Sequence, residues 1–108
     1  MKYKIVFLRS AEDDLLEIRR YIRRHFSQRT WLNAYAKIRR ALENLEAFPL
    51  SGHAPPELPA THFLEILAAN NRVISEVIGT TVYVHILCDA RQDFTTQLSR
   101  RPIRSLRK

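Results

Sequence analysis

The run Arg72-Val73-Ile74-Ser75-Glu76-Val77-Ile78, followed by Gly79-Thr80 and then Thr81-Val82-Tyr83-Val84-His85-Ile86-Leu87-Cys88, decides the fold. Both arms are rich in β-branched residues, which suit a pleated, half-buried surface. Gly79-Thr80 stands where a tight hairpin turn is needed, and glycine accepts positive φ there. The second arm, Val82 to Cys88, is apolar on nearly both faces, as expected of a central strand covered from two sides. One step back, residues 61–69 read as another strand. Asn70-Asn71 joins it to 72–78, since Asn tolerates a left-handed turn.

Further toward the N-terminus the period changes. Residues 2–8 alternate as a strand, with Tyr3, Ile5 and Phe7 on one side. Ser10 then opens a helix, and Ser10-Ala11-Glu12-Asp13 resembles a capping box with Asp13 in the third helical position. Glu12, Asp13 and Asp14 put negative charge on the positive end of the helix dipole. Ala11, Leu15, Ile18, Ile22 and Phe26 form one apolar stripe, widened by Leu16 and Tyr21. Ser27 caps a second helix, in which Trp31, Tyr35, Ile38, Leu42 and Leu45 recur at 4-3-4-3. A link this short makes the two helices an antiparallel hairpin. Phe48-Pro49 stops the second helix, and the proline-rich stretch 49–60 is a loop. A short helix over 92–100 is expected, limited by Pro102. The fold class is therefore α+β in the order βααβββ: an antiparallel-rich sheet packed by an N-terminal helical hairpin. Residues 1–99 read as one domain and 100–108 as a basic tail.

The chain has 108 residues, enough for one domain and its core. An apolar fraction of 45% argues against general disorder. No apolar run reaches the ~18–20 residues of a membrane span, and the N-terminus does not read as a signal peptide. The single cysteine, Cys88, excludes an internal disulfide framework and a Cys-clustered zinc site. Neither metal nor cofactor is expected, and the cytoplasm is the expected compartment.

The formal charge is +7, and its distribution is uneven. Eight Lys or Arg and no acid lie between Ile18 and Leu42, and five Lys or Arg and no acid lie between Arg100 and Lys108. Such blocks attract polyanions or an acidic protein partner. Solvated faces that merely keep the protein soluble have the same composition.

No phosphate loop, zinc motif or nucleophile elbow is present. His25, His53, His62 and His85 are scattered without metal-ligand spacing. His85 could act as a strand-borne general base or be a hydrogen-bonded structural histidine. Arg72 opens an apolar strand and Arg91 follows another. If the strands pair as hairpins, these two ends converge at one sheet edge, where guanidinium forks suit phosphate or carboxylate. A salt bridge of either arginine with Asp89, Asp93 or Glu57 is the competing reading.

Several segments together resemble a known family. They are Ala11-x-x-Asp14-Leu15-x-x-Ile18-x-x-Tyr21-Ile22, Ile38-x-x-Ala41-Leu42-x-x-Leu45, Phe48-Pro49-x-Ser51-Gly52, Pro56-Glu57-Leu58, Asn71-Arg72-Val73-Ile74 and Val82 through Asp93. In this order and spacing, over roughly residues 3–101, the sequence resembles the RelE/ParE superfamily of type II toxin–antitoxin toxins. It is closer to the ParE, or plasmid stabilisation, branch. The resemblance implies a small toxin that halts bacterial growth and is blocked by a cognate antitoxin. It also implies one of two targets. ParE-like members poison DNA gyrase without a nuclease set; RelE-like members enter the ribosome and cut mRNA. A nuclease would draw on Arg72, Arg91, His85 and Glu57. The 49–65 loop contains no Lys or Arg, so the RelE-type lysine cluster is missing. Ser75 stands three residues after Arg72, where many relatives carry Tyr, which opens a third reading: a degenerate member that only binds its antitoxin. The gyrase-directed toxin is the favoured expectation. Antitoxin contacts are expected at Arg19, Arg20, Arg23, Tyr21, Trp31 and Tyr35, and target contacts at Arg72, Arg91, Arg100, Arg101 and Arg104.

Overall fold

A computed structural model of the chain describes residues 2–93, 95, 98, 101 and 103–107. The elements among them run β1 (Lys4–Phe7), α1 (Arg9–His25), α2 (Gln28–Ala47), β2 (Phe63–Ala68), β3 (Asn71–Ile78) and β4 (Thr81–Asp89). This is the βααβββ order of an α+β fold. The four strands lie in the order β1-β4-β3-β2. β4 is thus internal, as its two apolar faces require. It pairs antiparallel with β3 and parallel with β1. The parallel pair is possible because the helical hairpin supplies the crossover between β1 and the rest of the sheet. The short helix expected over 92–100 falls largely on residues outside those described, as does Arg100.

The start of α1 differs from the capping box expected. Leu8, not Ser10, occupies the cap position, and no side chain caps the helix. The Ser10 hydroxyl instead donates to the carbonyl of His85 at 3.2 Å. A contact across the fold has taken the hydroxyl that a local cap would have used. Ser27 does cap α2, its Oγ accepting from the Thr30 N–H at 3.0 Å. α2 ends at Ala47, just before Phe48-Pro49.

The first sheet turn is also one residue earlier than expected. Ala68 pairs with Asn71, so the two-residue loop is Ala69-Asn70, with φ of 50° and 62°. Both central residues are left-handed, the geometry whose twist matches a hairpin. Asn71 Nδ2 donates back to the Ala69 carbonyl at 3.0 Å, which holds an alanine in a conformation it does not favour alone. In the second turn Gly79 takes φ 60° without strain. Gly52 serves a close approach: a Cβ there would lie 2.5 Å from the Glu65 carbonyl oxygen. That approach lets His53 pair with Glu65 on the edge of β2.

Two clusters cover the two faces of the sheet. On one, Val73, Val84, Leu87 and Ala68 pack against Ala11 and Ile38, with Leu15, Ile18, Ala41 and Leu42 around them. Trp31 and Leu45 are buried on α2. The stripe of α1 outruns this core, and Phe26 is exposed. On the other face Phe63, Ile74, Ile86 and Cys88 are covered by Leu58, Leu98 and Ile103. Burying each large aliphatic side chain contributes roughly 1.5–3 kcal/mol.

β4 departs from strict alternation at one point. Ile74 faces Ile86, but Ser75 faces Val84, so His85 is an extra residue in β4. Such a bulge re-aims a side chain. Here it turns His85 and Ile86 to the same face: the His85 ring meets Phe63 edge-on at 5.0 Å, and Ile86 joins the Phe63 cluster.

Candidate functional site

The sheet face turned away from the helices carries two buried charged groups. At one end, Arg72 at the start of β3 reaches Glu57 in the loop and Glu65 on β2. Its Nε donates to Glu65 Oε1 at 3.0 Å. One terminal nitrogen donates to Glu57 Oε2 at 2.6 Å and to the Gln92 carbonyl at 2.8 Å. The other donates to Glu57 Oε1 at 2.6 Å and to Glu65 Oε1. A guanidinium has five N–H groups, and these five bonds account for them. All three side chains are more than nine-tenths buried. The hydrogen bonds to Glu57 lead in driving the Arg72 pKa still higher, against the opposing effect of burial. His53 stands at the rim, Nε2 3.8 Å from Glu65 Oε2.

Toward the other end, Glu76 on β3 is fully buried and accepts from His85 Nε2 at 3.2 Å. The Leu106 N–H donates to the same carboxylate at 3.0 Å, and the Ser105 hydroxyl donates to it as well. Arg107 Nε lies 3.7 Å away. Burial pushes the Glu76 pKa upward, but these donors outweigh it and hold the carboxyl below its ordinary value. For His85 burial wins over the bond to Glu76, and its pKa is lowered. The pair therefore rests as a carboxylate beside a neutral imidazole, with the Nε2 proton toward Glu76. Residues 105–107 thus lie back on the sheet, and Arg101 forks onto Asp14 of α1 at 2.9 and 3.0 Å. Cys88, in the cluster between the two polar groups, is pushed up to about 11 by burial, so the thiol stays protonated and unreactive.

Strand pairing brings the segments carrying Arg72 and Arg91 together, as the Arg72–Gln92 bond records. It gives the two side chains opposite surroundings. Arg72 is held inside by carboxylates; Arg91 is exposed and turned back onto Asp89 at 3.3 Å. The Arg91 backbone N–H, first, and its side chain lower the Asp89 pKa. The salt bridge between Arg72 and Glu57 is one of the pairings weighed from the sequence. Ser75 is buried opposite Val84, so its hydroxyl is not presented to a target. Arg104 is exposed.

The helical hairpin presents the second charged surface. Leu16, Arg19, Arg20, Arg23 and Arg24 line an open depression of about 440 Å³ on α1. Only Arg20 there has an ion-pair partner among the described residues, the exposed Glu17. Tyr21 is exposed and stacks on His25 at 4.5 Å. Tyr35 is 40% exposed, whereas Trp31, 5.4 Å away, is buried at 7%. Of the aromatic residues assigned to a docking role, Tyr21 and Tyr35 are accessible and Trp31 is part of the core.

The partners Glu65, Glu76 and Asp14 escaped the sequence reading. A signal for two of them was present. Glu65 and Glu76 interrupt strands at positions whose neighbours are apolar, and a carboxylate there must find a donor or shift its pKa. Which donor it finds depends on loops far away in sequence.

Residues 5–93 match the family model described as ParE toxin of type II toxin-antitoxin system, parDE. Among solved structures, a chain of the chromosomal ParDE toxin–antitoxin system from P. aeruginosa is similar, with 15% identity and a TM-score of 0.69 over 83% of this chain and 98% of that one. A chain of the toxin–antitoxin complex RelBE2 from Mycobacterium tuberculosis is 19% identical, with a TM-score of 0.58 over 82% of this chain and 99% of its own. At these identities the likeness is one of fold. Comparison with curated proteins finds no match.

Proposed function

The chain belongs to the ParE toxin family of type II toxin–antitoxin systems, and on that premise we propose that it arrests growth by acting on DNA gyrase and is neutralised by a cognate antitoxin. The state of Arg72 carries the choice of target. In-line cleavage of RNA needs cations and a proton acceptor around the scissile phosphate. Arg72, the strand arginine that a nuclease would use, is consumed by Glu57, Glu65 and the Gln92 carbonyl. Glu57, the acid that a nuclease would use beside it, is consumed in return. His85 is tied to Glu76 beneath residues 105–107. The loop before β2 supplies no Lys or Arg in their place. A toxin that binds its target without cutting RNA requires none of these groups to be free.

The antitoxin's proposed seat is the arginine face of α1, with Arg19, Arg20 and Arg23 beside Tyr21 and with Tyr35 at its edge. An acidic segment with an apolar side matches that surface in charge and in chemistry. Arg91, Arg101 and Arg104 are the proposed target contacts at the other end of the molecule.

Induction of this chain alone should stop growth, and co-induction of the neighbouring small open reading frame should restore it. The purified protein should inhibit supercoiling by gyrase or trap its cleaved DNA. No effect on gyrase at saturating protein, together with codon-positioned mRNA cuts in a translating extract, overturns the gyrase reading in favour of the ribosome. Unimpaired growth on induction overturns both and leaves an antitoxin-binding protein without toxicity.

A further inference from the structure

A small cavity lies where the β1–α1 junction, the β4 bulge and the C-terminal segment meet. It has a volume of about 170 Å³ and is lined by Leu8, Ser10, His85, Arg101, Ile103 and Arg104, among others. Sites that enclose drug-sized ligands run to roughly 300–1,000 Å³, so this one suits a single small group. Its polar lining is cationic or donating. Arg104 has no partner among the described residues. Arg101 is held in place by Asp14, which leaves it oriented but largely neutralised. α1 starts here without a side-chain cap; Ala11 and Glu12 donate their N–H groups to the Leu8 carbonyl, and those of Arg9 and Ser10 are left for an acceptor.

His85 adds the feature that distinguishes this cavity from an ordinary basic patch. It is 95% buried, being 5% exposed, and the bulge places it here. Nε2 is taken by Glu76, and no group among the described residues bonds Nδ1. Among the described residues no sealed side-chain polar atom lacks a partner, so Nδ1 keeps an opening, and the cavity that His85 lines provides it. We propose that this cavity binds a phosphate group, held by Arg104, Arg101, the first turn of α1 and His85. The inference does not depend on whether gyrase or the ribosome is the target.

The binding carries a proton with it. Because ionised Glu76 keeps one proton on Nε2, a neutral His85 shows the cavity only a lone pair at Nδ1. An oxyanion needs a donor there, so it selects the doubly protonated ring. Glu76 on β3 bonds that ring, Phe63 of β2 meets it edge-on, and Arg101 and Arg104 line the same cavity; Asp14 of α1 lies behind Arg101 and Arg107 beside Glu76. Glu76 stabilises the added proton, the arginines oppose it, and a bound dianion tips the balance.

The test is an NMR titration of the whole chain with sodium sulfate, against sodium chloride at matched ionic strength. Sulfate stands in for phosphate and does not itself titrate in the range where histidine does. Saturable shifts at the Ser10 amide and the His85 ring are expected, with binding tighter below the histidine range than above it. Arg104→Ala should weaken binding about tenfold, the effect of one charged hydrogen bond. Arg39→Ala, on the exposed side of α2, should leave it unchanged. A 5′-phosphorylated trinucleotide and its 5′-hydroxyl counterpart then identify the source. Displacement of sulfate by both points to a backbone phosphodiester, by the first alone to a terminal phosphate, and by neither to the free ion. Shifts that chloride reproduces, or an Arg104→Ala protein that titrates like the parent, overturn the proposal.

Discussion

The two faces of the sheet are closed by different physics. The face under the hairpin is aliphatic: Val73, Val84 and Leu87 meet Ala11 and Ile38, and burial is the main force that holds it. The opposite face has an aliphatic centre between two charged groups, Glu57–Arg72–Glu65 and Glu76–His85. Its covers are not the helical hairpin but the 55–58 loop, Leu98 and residues 103–107, and the charges fasten the loop and 103–107. An apolar interface gains from any well-packed neighbour, so it tolerates variation. A buried ion pair is directional: it fixes one partner in one place and is costly when that partner is missing. The first face makes the domain stable. The second decides where its irregular segments lie, and the C-terminal one carries Arg101 and Arg104.

This contrast can be broken most sharply at Arg72. Arg72→Ala strands two buried carboxylates and should cost about 3–5 kcal/mol in chemical denaturation. Arg72→Met combined with Glu57→Gln and Glu65→Gln should recover much of that loss, since no unpaired charge is left. If the single and triple variants are equally unstable, the cost is packing and the two faces do not differ as described. On the helical face, Ile38→Ala should cost about 3 kcal/mol, through lost burial and the cavity left behind. That loss should be insensitive to salt and pH.

The response to acid separates the faces next. His85 has a lowered pKa in the fold, so the unfolded chain binds its proton first. Stability is complete above the ordinary histidine value of about 6.5 and falls as pH drops below it. Glu76, also lowered, adds a second loss as pH falls below the ordinary carboxylate range, through its folded value. His85→Gln should flatten the first part of a plot of melting temperature against pH and leave the second. A parent protein with no slope below neutrality would contradict the buried, neutral histidine. The smallest effect belongs to the exposed arginines. Arg20→Ala loses a surface pair with Glu17 and should change stability by about 0.5 kcal/mol or less. The same substitution, joined by Arg19→Ala and Arg23→Ala, should weaken antitoxin binding in calorimetry while the fold is unaffected.

Much of the architecture could be read from periodicity. The 3-4 spacing of α1 and α2, the Ser27 cap, the Phe48-Pro49 stop and the doubly apolar β4 all survive in the structure. Each depends on residues within one or two turns of one another. The errors fall where a distant group intervenes. Ser10 left its expected cap for the His85 carbonyl, and the turn after β2 slid to Ala69-Asn70 when Asn71 entered β3. Of the site, the sequence marked Arg72, Glu57, His85 and the arginine face of α1, but not what state they would be in.

The division has a physical cause. Secondary structure and the choice of buried face follow from local geometry and from which residues avoid water, both of which are written along the chain. So are the basic blocks, because charge is a property of residues. Whether Arg72 is a free cation or a clamp depends on two carboxylates 15 and 7 positions away. Whether His85 faces a solvent-filled groove or a carboxylate depends on a bulge in β4 and on a segment 20 residues downstream. Pairings over such separations are decided only when the sheet closes, because only then do desolvation and partner arrive together.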